Sequence, residues 1–392
     1  MLAVENLTEV QEAIAESGID GWLLFDFHGL NPIATGMLGF EGLLSRRIFA
    51  FVPVSGTPVA ISHAIEQGPW KHWPPQWEKR VYSRWSELEA NVASLVKGKK
   101  VAMEYSPGDA VPYLDRVPAG VLEMVRAAGA DVVSSAALVT AFYARLNREH
   151  IDSHLRAARH VARIAQENLV EAGRSVRAGQ PLAEHEIQAR IMDSFHKLGL
   201  EFDHGPIVGA GENAANPHYE PSAAAPRHVR MGELLLIDLW AREKGGVYAD
   251  QTWMASIGDP SPRALEVWAA VRDARDAAIT FLRERLAQGG QVRGGEVDDR
   301  ARSVIDKRGF GSYFPHRTGH SIDPRDLHGS GPHLDNLETR EDRLLSPGVA
   351  FSIEPGVYIP GEIGVRSEVN AIIDGSELVI TPDDFQTELA RV

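Results

Sequence analysis

Carboxylates stand at the ends of apolar runs in two places where burial would penalise their charge. In "ELLLIDLWAREKGGVYADQTWMASIG" the run Leu234 to Ile237 predicts a buried strand that ends on Asp238, and Asp250 follows on the return strand. With the turn centred on Lys244, Asp238 and Asp250 are expected directly opposite each other on one face of an antiparallel ladder, with Cβ atoms about 4.5 to 5.5 Å apart. A second hairpin, "GVAFSIEPGVYIPGEIGVRSEVNAIID", has Gly361 at its turn and sets Glu354 opposite Glu368. Alternation puts Arg366 on the face of Glu368, opposite Gly356, whose missing side chain is expected to leave room for a guanidinium. Carboxylates that close repel unless a proton or a cation separates them. A single Asp or Glu at a strand end would be an ordinary solvent-facing acid. Two symmetric pairs point instead to a cation site.

The stretch "FPHRTGHSIDPRDLHGSGPHLD" adds His316, His320, His328 and His333, four of the chain's 15 histidines. Four carboxylates with an imidazole form an oxygen-rich, nitrogen-poor donor set. That set suits two divalent cations bridged by carboxylates about 3.5 to 4 Å apart. The chain has no cysteine, which rules out disulfides, a thiolate nucleophile and a thiolate zinc site.

The elements that must position these residues are legible in outline. The first 140 or so residues alternate short apolar runs ("GWLLFDF", "RRIFAFVPV", "KKVAMEY", "ADVVSS") with helical patterns such as "AGVLEMVRAAG", as in an α/β layer. A boundary near residue 150 separates this accessory domain (1–150) from a second domain (151–392). In the second, helices over about 153–172 and 183–198, with Gly173 as a stop, precede a loop with His204 and His218 and then two strands. The pattern repeats: Ser261 and Pro262 open a helix to Leu286, a shorter one runs from Gly295 to Lys307, and the histidine loop and another strand pair follow. This predicts a pseudo-duplicated α+β unit with its strand pairs around one site.

Composition bounds the partners. The 392 residues are 44% hydrophobic and 24% charged, enough for a sizeable core and roughly two to three domains. A formal charge of -14 argues against nucleic acid or an anionic membrane as partner and favours small molecules or peptides. The start, "MLAVENLTEVQEAIAESGIDGW", has acids where a signal peptide needs a positive and then an apolar run. Nowhere do about 18 apolar residues run together. A cytoplasmic chain is expected.

These residues resemble the pita-bread metallopeptidases, the family of methionine aminopeptidase, aminopeptidase P and prolidase. The first domain is similar to the creatinase-type amino-terminal domain of the prolidase and aminopeptidase P branch, so the resemblance spans essentially the whole chain. It implies an α+β pita-bread catalytic domain with a pseudo-twofold repeat, preceded by that α/β domain. It also implies five metal ligands: Asp238 in "LLLIDLW", Asp250 in "VYADQTW", His320 in "HRTGHS", Glu354 in "SIEPGVYI" and Glu368 in "GVRSEVN". Asp238 would hold one metal and His320 the other, Asp250 and Glu368 would bridge them, and Glu354 would bind metal and shuttle a proton. Manganese is the expected ion, and cobalt, zinc or iron would accept the same ligands.

The implied reaction is hydrolysis of an Xaa-Pro bond by a metal-bridged hydroxide attacking the scissile carbonyl. His218 in "GENAANPHYEP" and His328 in "DLHGSG" match family histidines that contact the substrate and the tetrahedral intermediate. His316 resembles a position behind the metal ligands in the prolidase branch, and Arg366 would support Glu368 or the substrate. Arg46 and Arg47, a basic pair in the first domain, would meet a substrate carboxylate across a homodimer, which favours a dipeptidase. Aminopeptidase P acting on longer peptides, a metal-free creatinase-like hydrolase and a non-catalytic binding relative are the alternatives. The chain departs from the family pattern at Ser321, Asp323 and Pro324, is one residue longer before His328 and in the aspartate hairpin, and has Trp253 in place of a common arginine.

Overall fold

The apolar runs near the amino terminus are strands of one sheet in the computed structural model, which describes residues Met1–Val392. The chain divides into two units, Met1–Ala144 and Arg145–Val392. In the first, helix α1 (Leu7–Glu16), strand β1 (Gly21–Asp26) and helix α2 (Pro32–Leu38) are followed by strands β2 (Ile48–Pro53), β3 (Val59–His63) and β4 (Glu78–Tyr82). Helix α3 (Trp85–Val96), β5 (Lys100–Met103), α4 (Ala119–Ala127), β6 (Asp131–Ser134) and α5 (Ala136–Phe142) complete it. The strand order is β4-β3-β2-β1-β5-β6. Strand β1 is buried throughout because both faces of the sheet are covered: Trp22 and Leu24 enter one apolar layer, Leu23 and Phe25 the other.

The second unit runs the same order of elements twice. Helices α6 (Arg148–Arg177) and α7 (Glu184–Leu198) lead to β7 (Ile207–Ala210) and the hairpin β8 (Leu234–Ala241) and β9 (Ala249–Ser256). Helices α8 (Pro262–Ala287) and α9 (Gly294–Lys307) lead to β10 (Ser321–Ile322), β11 (Ala350–Ile353), β12 (Gly356–Ile359) and β13 (Ile363–Arg366). Strands β14 (Val369–Asp374), β15 (Glu377–Thr381) and β16 (Ala390–Arg391) close the chain. The strands form two sheets, β16-β9-β8-β7 and β10-β11-β14-β15, with β12 and β13 as a separate hairpin. No helix is long and apolar enough to cross a membrane.

Local chemistry sets the helix ends. Asn147 caps α6 by accepting the His150 amide (2.9 Å), and Ser261 caps α8 by accepting the Ala264 amide (3.0 Å), with Pro262 in the first turn. Gly173, expected to stop α6, lies inside it. Its lack of a side chain serves packing, since a Cβ there would come within 2.6 Å of the Val392 carbonyl carbon.

Two buried polar groups tie the halves of this unit together. His154 Nδ1 donates to Tyr248 O (2.7 Å), so the neutral ring accepts at Nε2 from Thr381 Oγ1 (2.8 Å), and burial pushes its pKa down to about 4. Arg275, fully buried on α8, donates from Nη1 to Ser367 Oγ (2.7 Å) and Gln386 O (2.6 Å). The Gln386 side chain in turn bonds both the amide (3.0 Å) and the carbonyl (2.7 Å) of Met254 on β9. Each such bond to a charged donor contributes roughly 1.5–3 kcal/mol, so α8 holds the Arg366–Glu368 segment firmly.

Candidate metal centre

Strand alternation sends one face of each sheet into a common site. On β8 and β9 the odd-numbered Leu235, Ile237, Leu239, Ala249, Trp253 and Ala255 pack in the apolar layer beneath α6 and α7. Asp238, Trp240, Asp250 and Thr252 therefore share the other face. On β11, β13 and β14 the odd-numbered Phe351, Ile353, Val365, Val369 and Ala371 pack in the layer that includes α8 and α9, leaving Ser352, Glu354, Arg366, Glu368 and Asn370 for the site. Trp253 thus faces away from the acids, donating to Gln251 Oε1 (2.9 Å).

The register of the aspartate hairpin differs from the expectation. Asp238 pairs with Thr252 and Asp250 with Trp240, so the two acids are diagonal rather than directly opposite. The turn is centred on Gly245, whose φ of 70° is open to glycine, instead of on Lys244. In the second hairpin Gly356 does pair with Arg366, and Ile353 with Val369, which sets Glu354 across from Glu368. The ladder is interrupted between these pairs, where Pro355 has no amide to donate. The space beside Gly356 is filled by the Tyr358 ring, whose hydroxyl would lie 2.4 Å from a Cβ there, and not by the guanidinium.

Direct contacts join the two sheets. The Asp250 amide donates to Asn370 Oδ1 (2.9 Å), and Thr252 Oγ1 donates to Glu368 Oε2 (2.7 Å). Arg366 donates from Nε to Thr252 Oγ1 (2.8 Å) and from Nη2 to Asp238 Oδ2. The ligand atoms of Asp250, His320 and Glu368 lie within 4.8 Å of one another, and all three residues are buried.

The tautomer of His320 decides what fits there. Its Nδ1 donates to Ser321 O (3.1 Å), so on the neutral ring Nε2 carries a lone pair. That lone pair faces Asp250 Oδ2 at 3.2 Å and Glu354 Oε1 at 3.5 Å. Electron pairs opposed at such distances need a proton or a cation between them. Asp238 Oδ1 and Asp250 Oδ1 are also buried without a hydrogen-bond partner. This donor set of oxygens with one imidazole fits divalent cations.

Electrostatics agree. Burial pushes the Asp238 carboxyl up to about 7; Arg366 opposes the rise, and the charges of Asp250 and Glu354 add to it. Burial and the neighbouring acids drive Asp250 and Glu368 well above the usual carboxylate range. Glu354 behaves differently: burial raises it, but His320, His316 and Arg366 outweigh that and hold it below its ordinary value. Three acids resist ionising in the absence of a cation, and one stays charged.

The other histidines take separate places. His316 engages both nitrogens, Nδ1 donating to Arg317 O (2.7 Å) and Nε2 accepting from the Tyr358 hydroxyl (2.9 Å), whose oxygen lies 3.4 Å from Arg366 Nη1. His328 is exposed, with its ring tilted over His320 at 4.2 Å between centroids. Although the residue is exposed, the neighbouring His320, ahead of desolvation of the ring face turned towards it, pushes its pKa down to about 3. The loop that carries it is folded around buried Asp323, which accepts the amides of Arg325 (2.8 Å), Asp326 (2.9 Å) and Ser330 (2.9 Å). His333 is buried and accepts the Ser321 amide at Nδ1 (3.1 Å), which braces the strand next to His320. His218 is exposed and makes no contact with the buried acids; only its amide is held, by Asn216 Oδ1 (3.1 Å).

Arg46 and Arg47 belong to the first unit and have partners within it. Arg46 donates to Ser45, and Arg47 lies over the rings of Phe27 and Trp85 at 5.1 and 5.4 Å. Sequence reasoning did not single out Trp240, Thr252, Ser352 or Tyr358. Even-numbered alternation from Asp238 and Glu354 was the signal that marks all of them.

Comparison with known proteins follows this geometry. Residues 156–374 match metallopeptidase family M24. The Xaa-Pro dipeptidase of Lactobacillus helveticus is 39% identical over 183 residues, 46% of this chain and 43% of that protein, so the match covers less than half of the relative's length. The crystal structure of dipeptidase PepE from Mycobacterium ulcerans superposes with a TM-score of 0.76 at 23% identity, over 99% of this chain and 97% of that one. An Xaa-Pro dipeptidase structure from Bacillus anthracis gives 0.67 at 22% identity, over the full length of both chains. These structures share the fold, an α+β pita-bread arrangement preceded by a creatinase-type α/β unit. With more than half of its length matched, including all the site-facing strands, the chain belongs to metallopeptidase family M24.

Proposed function

We propose that this chain is an Xaa-Pro dipeptidase whose site binds two divalent cations through Asp238, Asp250, His320, Glu354 and Glu368. The observation that carries the reading is the convergence of buried Asp250, His320 and Glu368, whose ligand atoms lie within 4.8 Å of one another beside the unpartnered Oδ1 atoms of Asp238 and Asp250. The dipeptidase names among the similar proteins support the substrate class. Divalent cations, when bound, polarise a carbonyl oxygen and acidify a water.

The side chains do the rest. Glu354, the acid held ionised, takes up and returns a proton, with Ser352 Oγ donating to its Oε1 (3.0 Å) to fix its orientation. Arg366 neutralises Asp238 and, through Tyr358, is linked to His316, which serves as a wall of the substrate pocket. His328, beside His320, donates to charge developing on the substrate, and exposed His218 reaches the bound peptide from its own loop. Residues 1–150 serve as an accessory domain, whose Arg46 and Arg47 select a free substrate carboxylate across a homodimer. Manganese is the expected ion. An acidic, cysteine-free composition supports a cytoplasmic setting and small peptides as partners, without nucleic acid or membrane.

Kinetics of the manganese-loaded protein on Leu-Pro and Leu-Pro-Gly test this reading. The dipeptide is expected to be favoured about tenfold or more in kcat/KM, a difference of ~1.4 kcal/mol. Replacing both Arg46 and Arg47 by alanine is expected to erase that preference. Preference for Leu-Pro-Gly would make the protein an aminopeptidase P instead, and hydrolysis of neither would remove the Xaa-Pro reading.

A further inference from the structure

Between β7 and β8 the chain folds onto one buried carboxylate that the metal centre does not use. Glu184, 1% exposed in the first turn of α7, accepts the Ala210 amide (2.7 Å), the Asn213 side-chain amide at both oxygens (3.1 and 3.0 Å) and the Tyr219 hydroxyl (2.7 Å). Both of its oxygens are thus taken up by donors of this chain. Burying a carboxylate is costly, and donors drawn from residues 210–219 offset that cost only while the segment keeps its shape.

The segment also closes on itself. The Asn216 amide donates to Asn213 O (3.1 Å), Asn216 Oδ1 accepts the His218 amide (3.1 Å), and the Tyr219 amide donates to Asn216 O (3.1 Å). Hydrogen bonds therefore run in a ring from Glu184 through Asn213, Asn216 and the Tyr219 backbone, returning to Glu184 through the Tyr219 hydroxyl. His218 lies within that ring, one residue before the tyrosine. Burial, and then the bond to Glu184, push the Tyr219 phenol up to about 12, so it keeps the proton it donates.

The ring is set down beside the metal centre. A Cβ on Gly209 would come within 3.1 Å of the Ala214 backbone, and one on Gly364 would collide with Ala214 O, so the segment is pressed against both β7 and β13. Gly364 shares its face of β13 with Arg366, which bonds Asp238. The His218 side chain is exposed, and its backbone is what the ring of bonds fixes.

We propose that Glu184 is a positioning residue for hydrolysis, holding the His218 backbone where the imidazole meets the bound peptide. It touches neither substrate nor cation and acts through residues 210–219. This rests on the contact between His218 and the substrate proposed above, and goes beyond it by naming what sets that contact.

Kinetics of the manganese-loaded protein on Leu-Pro, arranged as a double-mutant cycle, test it. Glu184→Gln keeps the size but turns an amide towards the donors of Asn213 and Tyr219, and is expected to lower kcat/KM about tenfold. His218→Ala is expected to lower it about a hundredfold. Adding Glu184→Gln to His218→Ala should then cost less than about twofold more, because the first change acts only through the second residue. Tyr219→Phe removes one bond and leaves the carboxylate in place, so it serves where Glu184→Gln reduces the yield of folded protein; about a threefold loss, again absent beside His218→Ala, is expected. Hydrogen exchange reads the segment without turnover: the amides of Asn216, His218 and Tyr219 should exchange about tenfold faster in either variant, with α7 and β8 unchanged. A loss that multiplies with that of His218→Ala, no loss in either variant, or exchange as slow as in the wild type would overturn the assignment. Inactivity of the wild type on Leu-Pro, with the faster exchange still seen in the variants, would instead count against the Xaa-Pro reading and leave Glu184 supported as the anchor of His218.

Discussion

Glu354→Gln is expected to lower kcat on Leu-Pro by about a thousandfold, within the range that a positioned general acid or base contributes. Glutamine has the same size and can still accept the Ser352 hydroxyl at Oε1, so the hairpin should keep its shape. What it loses is the capacity to carry a proton. Glu354 suits that role because His320, His316 and Arg366 keep it ionised, whereas burial makes Asp238, Asp250 and Glu368 reluctant to ionise alone. Melting temperature and bound metal, measured beside kcat, separate this effect from misfolding. A loss below about tenfold in a variant that retains its metal would rule out the proton-carrying role.

Chelation is expected to abolish activity and to reverse the slope of stability against pH. Asp238 rises to about 7 in the folded chain, against about 3.9 for an unperturbed aspartate, and Asp250 and Glu368 are raised too. A carboxyl raised on folding holds its proton in the native state after the unfolded chain has released it. The contribution is therefore present below about pH 4 and is lost as pH rises towards 7. For Asp238 alone the window amounts to about 4 kcal/mol, part of it shared with the neighbouring acids. A bound cation replaces the proton and removes the penalty, so the loaded protein gains on the chelated one as pH rises. Buried His154, with its pKa lowered to about 4, costs stability in acid in both forms. The readout is thus the difference between melting temperatures with manganese and with chelator from pH 5 to 8. It should widen with pH, and parallel profiles would contradict the cation site.

Much of this arrangement was legible because parity survives small errors of register. Centring the aspartate turn on Gly245 rather than Lys244 changes each residue's partner by two positions, so Asp238 and Asp250 stay on one face although they are no longer opposite. The glutamate pair kept its partners because Gly361 marks a short turn unambiguously. The repeated order of helices and strands was visible in the Ser261–Pro262 start and in helical spacing. Gly173 misled, since its role depends on Val392, a contact far along the chain.

Tyr358 folding back over Gly356 depends on three-dimensional neighbours that no local pattern encodes. The same holds for Asp323: as a departure from the family pattern it was conspicuous, but its three backbone hydrogen bonds around the His328 loop required the fold.

Anomalous diffraction from crystals soaked in manganese addresses the cation site most directly. Two peaks about 3.5 to 4 Å apart are expected, within bonding distance of Asp238, Asp250, His320, Glu354 and Glu368. Absence of density there, with His320 Nε2 still facing bare carboxylates and Asp238 bonded to Arg366 alone, would contradict it.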